Sequence, residues 1–182
     1  MALDVVANRR ARKWTVREQC GRILWAVVYP SFRLSPRILW AWRRALLRAF
    51  GAEIGRQVHI HPTVRVAIPW NLSVGDLSAI GDGVRLYNLG RIQIGKNTTV
   101  SQGAHLCAGT HDYRLSDLPL LKLPIHIGDN VWICADAFVG PGVTVADFAI
   151  LGARAVVVRD VPQAGILAGN PARLLKHRPV PE

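Results

Sequence analysis

Few side chains in this sequence of 182 residues are reactive at neutral pH: six histidines and three cysteines, Cys20, Cys107 and Cys134. The cysteines are scattered, odd in number and free of any CxxC pair, which fits a reducing compartment and argues against a disulfide framework or a zinc ribbon. Among the histidines, His111 stands apart, in the stretch Gly109-Thr110-His111-Asp112. An imidazole titrates near neutrality, so one held in a loop can remove the proton from a hydroxyl as its oxygen attacks. A metal site would instead need three histidines converging on one ion. His105 lies six residues before His111, and His126 directly precedes Ile127, so no third histidine stands at a matching site. The chemistry open to His111 is that of a general base, the alternative being a loop histidine that only packs or is solvated. Asp112 and Asp117 are the neighbouring carboxylates that could orient it or cap the turns of its loop.

What must position His111 is legible from an internal period. Beyond residue 53, aliphatic residues recur at every sixth position: Ile54, Ile60, Val66; Val74, Ile80, Leu86; Ile94, Val100, Leu106; then Ile127, Ile133, Val139, Val145, Leu151 and Val157. Six is neither a multiple of 3.6 nor a heptad, and a hexapeptide period predicts a parallel β-helix. Each hexad supplies a short strand and a turn, and three close one triangular coil of about 18 residues. The aliphatic residue points inward, and the small residue that often follows it is expected to take the tight corner, where Gly tolerates positive φ. Coils start 20, 20, 33 and 18 residues apart. The long interval places an extended loop at 108–124, and loops on a rigid scaffold are where chemistry concentrates.

An open β-helix also exposes an edge at each end unless something covers it. Residues 1–53 are the expected cover at the front, ahead of a β-helix domain over 54–178. Ser35-Pro36 reads as N-cap and first residue of a helix closed by Gly51, with Ile38, Leu39, Trp42, Ala45, Leu46, Ala49 and Phe50 on its apolar face and Arg37, Arg44 and Arg48 on the other. The fold class predicted is therefore all-β, a parallel β-helix with an N-terminal helical cap. Half of the residues are hydrophobic, which excludes disorder throughout. The net charge of +11 is uneven: residues 1–50 carry 11 Lys and Arg against Asp4 and Glu18, together with four of the six Trp. The longest apolar run near the front, Ile23 to Tyr29, is far short of a bilayer span, and Met1 to Lys13 lacks the apolar core of a secretory signal. A cytoplasmic location is expected.

The hexads, the Gly109-Thr110-His111-Asp112 stretch, the segment Ile127-Gly128-Asp129-Asn130-Val131-Trp132-Ile133, the turn Val139-Gly140-Pro141-Gly142-Val143-Thr144 and the ending Ala168-Gly169-Asn170-Pro171-Ala172-Arg173 resemble the hexapeptide-repeat O-acetyltransferases, the group of the maltose, galactoside and nodulation-factor enzymes. Arg43 to Gly55, Ile68-Pro69-Trp70-Asn71-Leu72 and Leu86-Tyr87-Asn88-Leu89-Gly90 resemble the colanic acid biosynthesis acetyltransferase branch, which modifies bacterial exopolysaccharide. The resemblance spans about residues 32–178 and implies left-handed coiling, a homotrimer with its sites in the clefts between prisms, acetyl-CoA as co-substrate and no metal. It implies that acetyl is moved to a saccharide hydroxyl, with His111 as base and the backbone N–H of Ala135 facing the oxyanion. Asn88 and Asp112 would contact the sugar. Trp132 and Ala153 would lie along the pantetheine arm, with Arg159 and Arg173 at the phosphates. Where relatives often have Ser, this chain has Cys134-Ala135, which leaves a backbone donor and removes a side-chain one.

Two other readings share the scaffold: a γ-class carbonic anhydrase-like metalloenzyme and a non-catalytic β-helix scaffold. The basic front end accompanies no nucleic-acid module. A cationic, Trp-bearing segment suits an anionic lipid surface, so peripheral contact through 1–50 at the inner membrane face is the expected partner surface. The acceptor sugar, and whether it is lipid-linked or a nucleotide sugar, stays open at this level.

Overall fold

The structure is a computed structural model that describes residues 2–179; Met1, which opens the 1–53 segment, lies outside them. Three helices, α1 (Val5–Arg10), α2 (Val16–Arg33) and α3 (Trp40–Ala49), precede a parallel β-solenoid of short strands that begins at Glu53–Ile54. Three sheets form its faces. Face A joins Glu53–Ile54, Leu72–Val74, Ile92–Ile94, Ile125–Ile127 and Thr144–Val145; face B runs from His59–Ile60 to Gly165–Gly169; face C runs from Arg65–Val66 to Val156–Val157. The register is that of the hexads: Ile54 pairs with Val74, Val74 with Ile94, Ile94 with Ile127, and Ile127 with Val145. All fifteen hexad aliphatics are buried, stacked coil on coil into one core.

The small residue after each aliphatic does not take the positive φ expected of it. In the first three coils that conformation falls two residues later, on Gln57, Leu77 and Asn97, and it recurs at Asn130 and Phe148. Gly75 and Gly95 are needed for proximity instead: a Cβ on Gly75 would lie 2.6 Å from the carbonyl carbon of Gly95, and one on Gly95 2.5 Å from the Gly128 carbonyl oxygen. The backbones of successive corners touch there, which leaves no room for a side chain.

The first coil donates strand N–H groups to the second, as in Gly55 N to Val74 O and His59 N to Ser78 O, and several of its carbonyls face the open end. Side chains of α2 and α3 take them. Arg48 donates to Ile54 O and Gly55 O, Arg44 to Val58 O, Arg43 to Ile60 O, the Tyr29 hydroxyl to Val64 O and the Trp25 indole to Val66 O. Donors thus reach the edge on all three faces. A buried carbonyl without a partner costs about 1–3 kcal/mol, which explains why the polar side of α3 faces the solenoid.

That geometry corrects two expectations for α3. It begins at Trp40, not at Pro36: Leu39 is its N-cap, and Ser35 Oγ bonds Phe32 O and accepts from Arg43. Its expected apolar face largely meets solvent, with Ile38 80 % and Trp42 46 % exposed, while Arg43 and Leu47 are buried. At the other end the solenoid is closed by Ala172–His177, antiparallel to Gly165–Gly169.

Candidate active site

The surplus residues between Leu106 and Ile127 form a β-hairpin rather than an irregular loop: Thr110–His111 pairs antiparallel with Leu120–Leu121. It leaves the prism where face C gives way to face A. At its end the backbone turns through Leu118 at φ +46°, and the Leu118 carbonyl lies 2.6 Å from His111 Nδ1. A carbonyl can only accept, so Nδ1 carries a proton, and in the neutral ring Nε2 keeps its lone pair. His111 is exposed, and a pocket of about 210 Å³ opens beside it, between the hairpin and α1.

α1 braces this arrangement from more than a hundred residues away. The Asn8 amide donates to Asp117 O at 2.6 Å and to Leu118 O at 2.7 Å, so it shares with His111 the carbonyl that sets the tautomer. Lys13 Nζ bonds Asn8 Oδ1 at 2.7 Å, and Asp4 N donates to Ser116 O. Lys122, from the hairpin, lies 3.7 Å over the Trp14 ring, and Arg22 stacks on the same indole at 4.3 Å. Nothing local in the sequence marks Asn8; only the tertiary fold brings it to the hairpin.

The other predicted residues fall into separate groups. Ala135 and Ala153 stack on successive coils at the corner between faces B and C, where Arg154 N donates to Ala135 O. The Ala135 N–H makes no hydrogen bond among the described residues. Trp132, 49 % exposed, projects from face B and bonds Ser101 Oγ. Arg159 and Arg173 line one cavity of about 220 Å³ at the C-terminal end of the prism. The small corner residues, the exposed indole and the two exposed arginines fit the needs of a pantetheine arm and its phosphates.

Of the two predicted sugar contacts, one is closed off and the other is engaged by a neighbouring cation. Asn88 is wholly buried: its Oδ1 accepts from Ala67 N and Ile68 N, and its Nδ2 donates to Ile68 O. Its amide knits two coils together and is unavailable to a ligand. Asp112 bonds the Arg114 side chain and backbone N–H, which hold its pKa down at about 2. His111 is oriented by a backbone carbonyl instead of a carboxylate.

Comparison with known proteins now adds to this geometry. Residues 124–159 match the family described as bacterial transferase hexapeptide, six repeats. WcaF of Escherichia coli K12, assigned provisionally as a colanic acid biosynthesis acetyltransferase, is 42 % identical over 157 residues, which cover 86 % of each chain. The chain belongs to the hexapeptide-repeat acetyltransferases. Galactoside O-acetyltransferase of E. coli K12, 26 % identical over 137 residues, covering 74 % of this chain and 68 % of its own, is a further relative. Among solved hexapeptide-repeat acetyltransferases, VCA0836 of Vibrio cholerae superposes with a TM-score of 0.83 at 25 % identity over 90 % of this chain and 93 % of its own; it has also been solved with acetyl coenzyme A.

Proposed function

We propose that this acetyltransferase moves an acetyl group from acetyl-CoA to a saccharide hydroxyl in exopolysaccharide synthesis, with His111 as the general base. The observation that carries this reading is the Leu118 carbonyl at His111 Nδ1, which leaves Nε2 free to take a proton. Nε2 accepts the acceptor's hydroxyl proton as the oxygen attacks the thioester carbonyl, the Ala135 N–H faces the oxyanion, and His111 returns the proton to the departing thiolate. Asn8 is a positioning residue that fixes the carbonyl. The metalloenzyme alternative finds less support: His105 packs edge-on to Phe138 on face C, and His126 sits on face A opposite Gln93 and Thr144.

A homotrimer fits the separation of these groups. The bonds and the pocket around His111 come only from the hairpin and α1, whereas Ala135 and Ala153 occupy the corner at the far side of face C. A hexad at about 3.3 Å per residue spans up to roughly 20 Å along one face, so a neighbouring copy would supply the second half of each site. His111→Ala should lower acetyl transfer by about a hundredfold or more while acetyl-CoA still binds; transfer at the normal rate would refute the assignment. Asn8→Ala should lower turnover about tenfold with acetyl-CoA affinity unchanged, and equal turnover would remove Asn8 from the machinery.

Peripheral membrane contact through 1–50 is supported by α2. Val16, Cys20, Ile23 and Val27 form an exposed stripe along it, next to the basic residues of the segment. No described helix is long and apolar enough to cross a membrane. The full chain should sediment with vesicles containing anionic lipid, and Ile23→Glu with Val27→Glu should abolish this; unchanged sedimentation would exclude the stripe as the contact.

A further inference from the structure

A cavity of about 770 Å³ lies between α2 and face C. Its walls are mostly apolar, formed by Trp25, Ala26, Val66 and Leu86 among others, yet three arginines converge on it: Arg33, Arg65 and Arg85. None of the three lies within ion-pair distance of a carboxylate among the described residues. Arg33 has a local rationale, since a cation in the last turn of a helix meets the negative end of its dipole. Arg65 and Arg85 have none. They are in register on neighbouring strands, and like charges opposite one another destabilise a sheet.

The charges reach into the cavity. Burial raises the Tyr29 phenol above its ordinary pKa against the opposing pull of Arg33 and Arg65. Burial, and secondarily Arg85, lowers the pKa of His105 on face C. His105 and Cys107 belong to the strand that runs on into Gly109-Thr110-His111, so the cavity adjoins the chain leading to the proposed base. Unpaired arginines suit a diphosphate, to which guanidinium groups bind with paired donors, and the apolar walls suit whatever carries it.

We infer that this cavity binds a diphosphate on the acceptor, so that the saccharide presented to His111 arrives on a diphosphate carrier with an apolar or aromatic group beyond it. The inference rests on the acetyltransferase reading and deepens it from "a saccharide" to a diphosphate-linked one.

Binding is the decisive measurement, because it does not depend on turnover. Geranyl diphosphate, uridine diphosphate and geraniol are titrated calorimetrically into the full-length protein, into Arg65→Gln/Arg85→Gln and into Arg65→Lys/Arg85→Lys. At least one diphosphate should bind the parent protein, lose about tenfold or more in affinity in the Gln variant, and recover most of it in the Lys variant. Geraniol should bind all three alike. Tighter binding of geranyl diphosphate assigns the diphosphate to a lipid carrier, and tighter binding of uridine diphosphate assigns it to a nucleotide. Equal affinity in the parent and Gln proteins, or no binding by either diphosphate, overturns the inference. Both arginines are exposed and removing one like-charge pair relieves repulsion, so the Gln variant should melt no lower than the parent. The same titration with His111→Ala should match the parent, so loss of the base and loss of the anion site are read separately.

Discussion

The two ends of the solenoid face opposite problems. At the N-terminal end the first coil presents carbonyls, and five side chains from two helices reach down to them, three of these being arginines. At the C-terminal end the chain doubles back, and Ala172–His177 pairs with Gly165–Gly169 along its length, apart from one shift of register at Ile166 and Leu167. One end is closed by a few long side chains whose placement depends on helix packing, the other by a ladder of backbone bonds that hardly depends on side-chain identity. Damage at the first end should therefore concentrate in single residues, and damage at the second should be diluted.

Arg43 is the strongest test of that contrast. It is buried, lies over the Trp40 ring, and donates to Ile60 O, Ser35 Oγ, Pro36 O and Arg37 O. Arg43→Ala strands these acceptors and should cost about 3 kcal/mol or more in urea unfolding. At the other end, Leu174→Ala removes a side chain that is 47 % exposed and leaves the ladder intact, so it should cost less than about 1 kcal/mol. Comparable losses for the two variants would mean that the ends are not closed by different means.

The same contrast explains what could be read in advance. The hexads specify the solenoid because every inward position repeats and each coil templates the next, and an excursion at 108–124 follows from counting the residues left over, though not that it pairs as a hairpin. The seating of α3 was not legible. A helical wheel assumes that the apolar side is buried, but an open β edge demands hydrogen-bond donors, and Arg43, Arg44 and Arg48 supply them while Ile38 and Trp42 face outward. Asn88 misled for a related reason: an amide near a corner reads equally well as a ligand contact or as a bridge to backbone, and only burial separates the two. His111 could be singled out as a candidate from its motif, but the carbonyl and the Asn8 amide beside it could not, because they depend on where a distant helix docks.

The smallest expected effect probes the carbonyl-bearing end through pH. Arg37 Nη2 approaches His61 Nε2 at 3.4 Å, and since a guanidinium only donates, the imidazole must accept there and stay neutral. Burial first, and Arg37 next, lower the His61 pKa from its ordinary value near 6.5, with Asp82 opposing them. A histidine depressed in the folded state binds its proton more readily when unfolded, so its contribution is complete above about pH 6.5 and is lost as the pH falls through the lower, folded value. Urea midpoints of the wild type should therefore drop between pH 7 and pH 5 more steeply than those of His61→Gln, which keeps an acceptor for Arg37 but has nothing to titrate. His61 is only half-buried, so the difference should be smaller than the cost of Arg43→Ala. Arg43→Ala should shrink it further if α3 no longer holds the Arg37 backbone beside His61, because the coupling between pH and stability at this end depends on that docking. Parallel pH curves for wild type and His61→Gln would show that the first coil tolerates a second cation beside Arg37, and that its cap is looser than its hydrogen bonds imply.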